Sequence, residues 1–211
     1  VFNVRSKRTF GGGTIHLYHF VKELFFYDIN PLTIIPRYEH IEFSDSDYFN
    51  LIQLYKESDN FIFKFFKFIR FLRKEKPELV MQIGLTLESC ILSLFCSMVK
   101  RKFVFFFASD VESAGYYQNS KKRCYLYRIL LRFSNLLIVQ NDLQKETIKR
   151  INPAHESKVK VLKKGIDFTK LKKAESKEFD AIWIARCEKL KNIEACIKLA
   201  EMNPDKKFLI I

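Results

Sequence analysis

No uninterrupted apolar run in this sequence approaches the ~18 residues that a membrane-spanning helix needs. The most apolar stretch, Phe61 to Leu72, is broken by Lys64, Lys67 and Arg70. The opening residues, Val1-Phe2-Asn3-Val4-Arg5, lack the basic-then-apolar order of a signal peptide. Five cysteines occur (Cys90, Cys96, Cys124, Cys187 and Cys196) with no CxxC pair among them. That spacing argues against a zinc site and against a disulfide framework, and reduced thiols in the cytoplasm are the expectation. Neither GxGxxG nor a P-loop is present, so classical dinucleotide binding and ATPase chemistry lose support. No set of metal ligands stands at a recognisable spacing, and there is no internal repeat or low-complexity tract.

What is present is a globular pattern. Hydrophobic residues make up 48% of the 211, in short blocks separated by charged segments. The formal net charge is +13. Such a balance favours acidic partners (nucleic acid, anionic lipid headgroups or phosphorylated small molecules), or it is a solvated basic surface.

Strand-like and helix-like segments alternate along the chain. Strands are expected at Val1–Val4, Leu32–Ile35, Leu79–Ile83, Phe103–Ala108, Leu136–Val139 and Lys158–Leu162. Helices are expected at Thr14–Phe26, Tyr48–Lys56, Phe61–Lys74, Leu87–Val99, Arg123–Phe133 and Asp142–Ile151, the last capped by Asp142. Continuous apolar strands alternating with helices indicate a doubly wound α/β domain, its parallel sheet covered on both faces. From Lys163 to Glu178 the composition turns charged and aperiodic, as in a linker. A fresh pattern follows: strand Ala181–Ala185, loop Arg186–Lys191, a helix Asn192–Met202 with Asn192 as N-cap, and strand Lys207–Ile211. The expected organisation is an N-terminal Rossmann-like domain over 1–165, a linker over 166–179 and an incomplete second Rossmann-like domain over 180–211. The chain starts and stops inside strand-like residues, which reads as a fragment of a longer protein.

In doubly wound folds ligands bind beyond the carboxyl ends of the strands, so the loops there hold the candidate residues. Gly11-Gly12-Gly13 lies between a strand and a helix, where backbone amides can approach a phosphate, or where a tight turn simply needs glycine. Arg186 and Lys191 bracket a loop that leads into a helix. Arg186 offers two donors to a diphosphate and Lys191 a mobile charge, unless both are ordinary surface cations. Ser109, Asp110 and Glu112 follow the phenylalanine-rich strand. The two carboxylates are acceptor-binding or acid/base groups, or Asp110 caps the next loop. His16 and His19 read as structural or surface residues.

The segment Phe61–Lys74 is amphipathic. At a hundred degrees per residue Phe61, Ile62, Phe65, Phe68, Ile69 and Leu72 share one side, and Lys64, Lys67, Arg70 and Lys74 the other. It is a core helix with a basic solvent face, or a contact with a membrane surface, for which Phe63, Phe66 and Phe71 widen the apolar part.

In this order the segments resemble the family-four retaining glycosyltransferases of the GT-B fold. Lys158-Val-Lys-Val-Leu-Lys-Lys-Gly-Ile-Asp167 is similar to the family's valine-rich strand and Asn-Gly-Ile-Asp turn. Ala181-Ile-Trp-Ile-Ala-Arg-Cys-Glu-Lys-Leu-Lys-Asn192 is similar to its second-domain opening, with Gly-Arg and a Lys five places on. Leu136–Lys149 and Gly11–Gly13 also fit. The resemblance implies that Arg186 and Lys191 bind the donor diphosphate and that Gly12 and Gly13 border the cleft, with Ser109 and Asp110 at the carboxyl edge. It implies transfer with retention from a nucleotide-diphosphate sugar to a glycan or lipid-linked acceptor in cell-surface polysaccharide synthesis. No cofactor or metal is called for, and the site of action is the cytoplasm, at the inner face of the membrane.

The sequence also departs from the family. Lys164 replaces the usual Asn, Ala185 the Gly before the Arg, and Ser109 a common His. The family's paired glutamates would fall beyond Ile211, so the longer protein is expected to be the enzyme and this piece inactive. The competing reading is a basic α/β module that binds nucleic acid or an anionic membrane without catalysis. Its aromatics, however, are not interleaved with cations on exposed strands as RNA-binding sheets require.

Overall fold

The computed structural model describes residues 2–3, 12–27, 29, 32–34, 50–52, 59–114, 120–163, 165, 178–185, 187 and 191–211. The chain divides into two compact units, Val1–Gly165 and Ile166–Ile211.

In the first unit, β1 (Phe2–Asn3), β2 (Leu32–Ile34) and β3 (Asn50–Ile52) form one parallel ladder in that order. A second parallel ladder runs β4 (Leu79–Ile83), β5 (Lys102–Phe106), β6 (Leu136–Val139), β7 (Val159–Val161). Because β1 lies beside β4, the spatial order is 3-2-1-4-5-6-7. Strand order therefore reverses between β1 and β4, the kind of switch point at which α/β sheets open a crevice.

The helices cover both faces. Phe103, Phe105 and Phe107 point to one face, where they meet Phe68, Phe71 and Leu72 of α2 (Phe61–Glu75), Cys96 of α3 (Leu87–Met98) and Leu130 and Leu131 of α5 (Lys121–Phe133). Val104 and Phe106 point to the other face and meet Val21 of α1 (Gly12–Phe26), Met81 and Ile138. The period-two alternation of a strand puts every residue of the phenylalanine run into one of two cores. Edge-to-face packing of Phe105 on Phe107 (4.9 Å between centroids) orders the larger one.

Local chemistry sets the helix starts. Asn60 accepts from the Phe63 amide at 2.8 Å. Thr86 and Ser89 form a reciprocal capping box at α3. The helix α6 (Asp142–Ile151) is capped by Asn141, not by Asp142: the Asn141 side chain accepts from the Gln144 amide at 2.7 Å, and Asp142 occupies the first helical position.

Three further expectations are corrected. Within the expected helix Tyr48–Lys56, Asn50–Ile52 form β3 by pairing with Leu32–Ile34, long-range pairing overriding a short periodicity, and the remainder of that span lies outside the described residues. A four-residue helix, α4 (Asp110–Ser113), occupies part of the loop expected after β5. On α2 the buried stripe is Phe68, Ile69, Phe71 and Leu72, so Phe71 faces inward and Ile62 faces outward.

The second unit contains a βαβ turn: β8 (Ala181–Trp183), α7 (Ile193–Glu201) and β9 (Phe208–Ile210), with β8 and β9 parallel. Asn192 precedes α7 in a left-handed conformation (φ 51°) and its side chain makes no capping bond, contrary to the N-cap expectation. Among the described residues no helix is long and apolar enough to cross a membrane.

Candidate functional site

The carboxyl ends of β4, β5 and β6 are tied together by side chains from the loops that follow them. Glu112 is the first tie. Its Oε1 accepts from the Leu85 amide at 3.1 Å and its Oε2 from the Ala108 amide at 2.7 Å. Leu85 follows β4 and Ala108 follows β5, so one carboxylate closes two strand ends. Gly84 makes the approach possible. At φ +82° it holds a conformation that side chains rarely adopt, donates its amide to Phe106 O at 3.1 Å and turns the chain so that the next amide reaches Glu112.

The second tie joins β5 to β6. Gln140 donates from Nε2 to Phe107 O at 2.7 Å. Gln144, only 1% exposed, accepts the Gln140 amide at 2.8 Å and donates to Asp110 Oδ1 at 2.7 Å. Asn141 Nδ2 reaches the same oxygen at 3.3 Å. Asp110 Oδ2 carries no hydrogen bond among the described residues, and the residue is exposed.

The electrostatics follow from these contacts. Burial raises the Glu112 carboxyl above its ordinary 4.5, while the amides of Ala108, Leu85 and Ser109 pull it back. With both oxygens occupied, Glu112 is a strut of the edge rather than a free acid or base. Tyr127 lies in the same core. Burial, and then the Glu112 charge, push its phenol up, and its hydroxyl finds no hydrogen-bond partner among the described residues. Burial likewise pushes the Cys90 and Cys96 thiols up to about 11, which leaves both protonated and unreactive at neutral pH.

The sequence-derived candidates distribute as follows. Ser109 is the N-cap of α4 and accepts from the Glu112 amide at 3.4 Å, so the capping role proposed for Asp110 belongs to Ser109. Asp110 is brought into contact with Asn141 and Gln144. Gly12 and Gly13 form the first turn of α1, which holds no acidic residue. Because α1 joins the parallel strands β1 and β2, that turn belongs to the carboxyl edge of the sheet. Gly11, Arg186 and the side chain of His16 lie outside the described residues. Lys191 is exposed, immediately before Asn192 and α7. His19 is half-buried on α1. Among the described residues no three His, Cys, Asp or Glu side chains gather as a metal site.

Gln140 and Gln144, both within the Leu136–Lys149 segment that carries the resemblance, had no site role assigned from sequence. Their signal was the Asn-x-x-Gln spacing after a buried strand, which places a side-chain amide back over the strand end. A cavity of about 150 Å³ lined by Leu72, Lys76, Val80, Phe95, Cys96 and Arg101 lies at the opposite, amino-terminal ends of β4 and β5 and takes no part in this edge.

No protein-family model and no curated protein sequence matches the chain. Solved structures do. The chain is similar to HepE of Anabaena in complex with UDP and glucose, with a TM-score of 0.73 and 13% identity over 99% of this chain and 59% of that one. HepE in complex with UDP gives a TM-score of 0.55 at 10% identity, over 80% of this chain and 44% of that one. UDP-GlcNAc 2-epimerase from Methanocaldococcus jannaschii gives 0.57 at 17% identity, over 99% of this chain and 64% of that one. The chain thus spans about three fifths of HepE's length. At these identities the likeness establishes the fold, a GT-B-type Rossmann-like α/β architecture shared with nucleotide-sugar enzymes.

Proposed function

We propose that this chain is part of a retaining glycosyltransferase that moves a sugar from a nucleotide-diphosphate donor to a glycan or lipid-linked acceptor in cell-surface polysaccharide synthesis. One observation carries the reading: 99% of the chain follows the fold of a HepE structure that holds UDP and glucose. The glycine-led start of α1, without an acidic residue in its first turn, adds support, because the amides there suit a phosphate.

In this reading residues 1–165 are the acceptor-side domain, 166–179 the linker and 180–211 the start of the donor-side domain. Catalysis belongs to the longer protein and the piece alone is inactive. As the sugar departs, negative charge grows on the phosphate oxygen. In the donor-side domain Arg186 and Lys191 stabilise that charge, and in the acceptor-side domain the amides at Gly12 and Gly13 are the donors offered at the carboxyl edge. Ser109 and Asp110 stand at the acceptor edge, where the unengaged Oδ2 of Asp110 can accept from a sugar hydroxyl. The nucleotide sugar is substrate, and the reading calls for no resident metal or cofactor. The enzyme works in the cytoplasm at the inner face of the membrane, which α2 is composed to meet.

Calorimetric titration of the protein carrying this chain with UDP- and GDP-sugars tests the reading. Micromolar binding of one of them is expected, weakened roughly 100-fold by Arg186→Ala with Lys191→Ala, since each removes a charge-assisted contact. No binding by folded protein would sink it. The likeness to UDP-GlcNAc 2-epimerase favours a second reading, epimerisation of the donor sugar. Product analysis separates the two: transfer releases the nucleoside diphosphate, and epimerisation leaves the nucleotide sugar intact. Salt-sensitive binding to nonspecific oligonucleotides without nucleotide-sugar binding would instead favour a noncatalytic basic module.

A further inference from the structure

We infer that the outer face of α2 docks the protein on an anionic lipid bilayer. The docking face stands on its own geometry. Its consequence, that the acceptor is lipid-linked and taken from the bilayer, rests on the glycosyltransferase reading.

The inner stripe of α2 is committed to the core through Phe68, Ile69, Phe71 and Leu72. Opposite it stand Ile62, Phe63 and Phe66, exposed by 65%, 51% and 63%. A core helix has no use for three large apolar side chains in water within its first two turns, and such a patch marks a contact surface. Ile62, Phe66, Arg70 and Arg73 follow one another at i, i+4, i+8 and i+11, a single stripe along the helix, with Phe63 and Lys74 beside it.

The charges choose the partner. Around this stripe lie Lys67, Arg70, Arg73, Lys74 and Lys76; among the described residues Asp59 is paired with Lys67 at 3.0 Å and Glu75 with Lys74 at 3.4 Å, and Glu78 follows past the helix end. Arg70 and Arg73 have no ion pair among the described residues. Lys67 also sits 4.5 Å over the Phe63 ring and supports it in its outward position. Arg73, Lys76 and Arg101 continue the cationic band around the apolar cavity at the far end of the helix. Apolar side chains and cations in one stripe fit a helix lying in the plane of a bilayer surface, its rings at the acyl boundary and its cations on phosphates. A protein-binding face would gather its apolar residues at a centre with lysine depleted.

The protein carrying this chain, sedimented with vesicles of phosphatidylcholine alone and of equal parts phosphatidylcholine and phosphatidylglycerol, is expected to bind only the anionic ones. Ile62→Glu with Phe66→Glu should abolish binding. Arg70→Gln, Arg73→Gln and Lys74→Gln together should weaken it roughly 100-fold, at about a fivefold loss per cation. These side chains are exposed, and an unchanged circular dichroism spectrum verifies each fold. Absence of vesicle binding, equal binding to neutral vesicles, or wild-type binding by the Ile62/Phe66 variant overturns the inference. So does binding to oligonucleotides that is lost with the cations but kept by the Ile62/Phe66 variant. Nucleotide-sugar calorimetry on the same samples separates the two ideas. Sugar-nucleotide binding without vesicle binding removes the docking face alone, and vesicle binding without sugar-nucleotide binding removes the enzyme reading alone.

Discussion

In β5 and just beyond it, Phe103 through Phe107 are buried in an unbroken run, whereas in β8 Ile182 is more than half exposed and Ile184, just past the strand, more so. Both strands are written as continuous apolar segments, the pattern of a parallel strand covered on two faces. The first unit meets that demand with α1 on one face and α2, α3 and α5 on the other. In the second unit no described residue of β8, α7 or β9 is buried, and Ile197, Leu199 and Ile210 are exposed with Ile182. Strand composition states a need for cover, and only neighbouring layers supply it. The hydrophobic contribution follows area removed from water, so the same residue type contributes very differently in the two places.

The sharpest way to break this comparison is Phe105→Ala. Phe105 is fully buried against Phe107, and the substitution should cost about 3–5 kcal/mol of unfolding free energy in urea titrations. A loss comparable to that of an exposed residue would mean that the two-faced core is misassigned.

Glu112→Ala should come next, at about 2–4 kcal/mol, because it strands the amides of Leu85 and Ala108 at the ends of two central strands. Hydrogen exchange at those two amides should speed up more than exchange in β7. The pH dependence has a definite sign. Since the native Glu112 carboxyl is raised above its ordinary 4.5, the native state holds that proton more firmly than the unfolded chain does. Its contribution is full below that value and fades as pH rises through the raised one. The stability of the wild type relative to Glu112→Gln should therefore fall between mildly acidic and neutral pH. Parallel curves would mean that the two N–H bonds fully offset burial, and a rise would mean that they outweigh it.

Ile182→Ala, the counterpart of Phe105→Ala in the exposed strand, should change stability by less than about 1 kcal/mol. A cost near that of Phe105→Ala would show that β8 is covered in solution. The smallest effect is expected for Tyr127→Phe. It removes a buried hydroxyl that has no partner among the described residues, so stability should stay level or rise by up to about 1 kcal/mol, measured by the same titration.

Much of the first unit was legible because its signals are local. The phenylalanine run after Lys102 and the amphipathic period of α2 each depend on residues within one element, whereas the cap of α6 falls on Asn141, one residue before the Asp142 that the sequence suggested. β3 was not legible: three residues become a strand by pairing with β2, and nothing nearby in sequence announces it. The candidate site divides in the same way. Asp110 and Glu112 stood out as carboxylates after a buried strand, yet their partners are Gln144, 34 positions from Asp110, and Leu85, 27 positions from Glu112. Spacing along the chain holds no record of such contacts.

By itself, then, the sequence determined the alternation of buried strands with helices, the amphipathic character of α2 and the residue types available at the sheet's carboxyl edge, since these rest on side-chain periodicity and backbone capping. The tertiary structure alone decided that Ser109 and not Asp110 caps α4, that Glu112 is consumed as a strut and that Ile62 faces outward while Phe71 faces in. The physical reason is common to all three. Burial and hydrogen-bond occupancy are set by which element packs alongside, and helical periodicity specifies the angle between side chains but not which of them the sheet will meet.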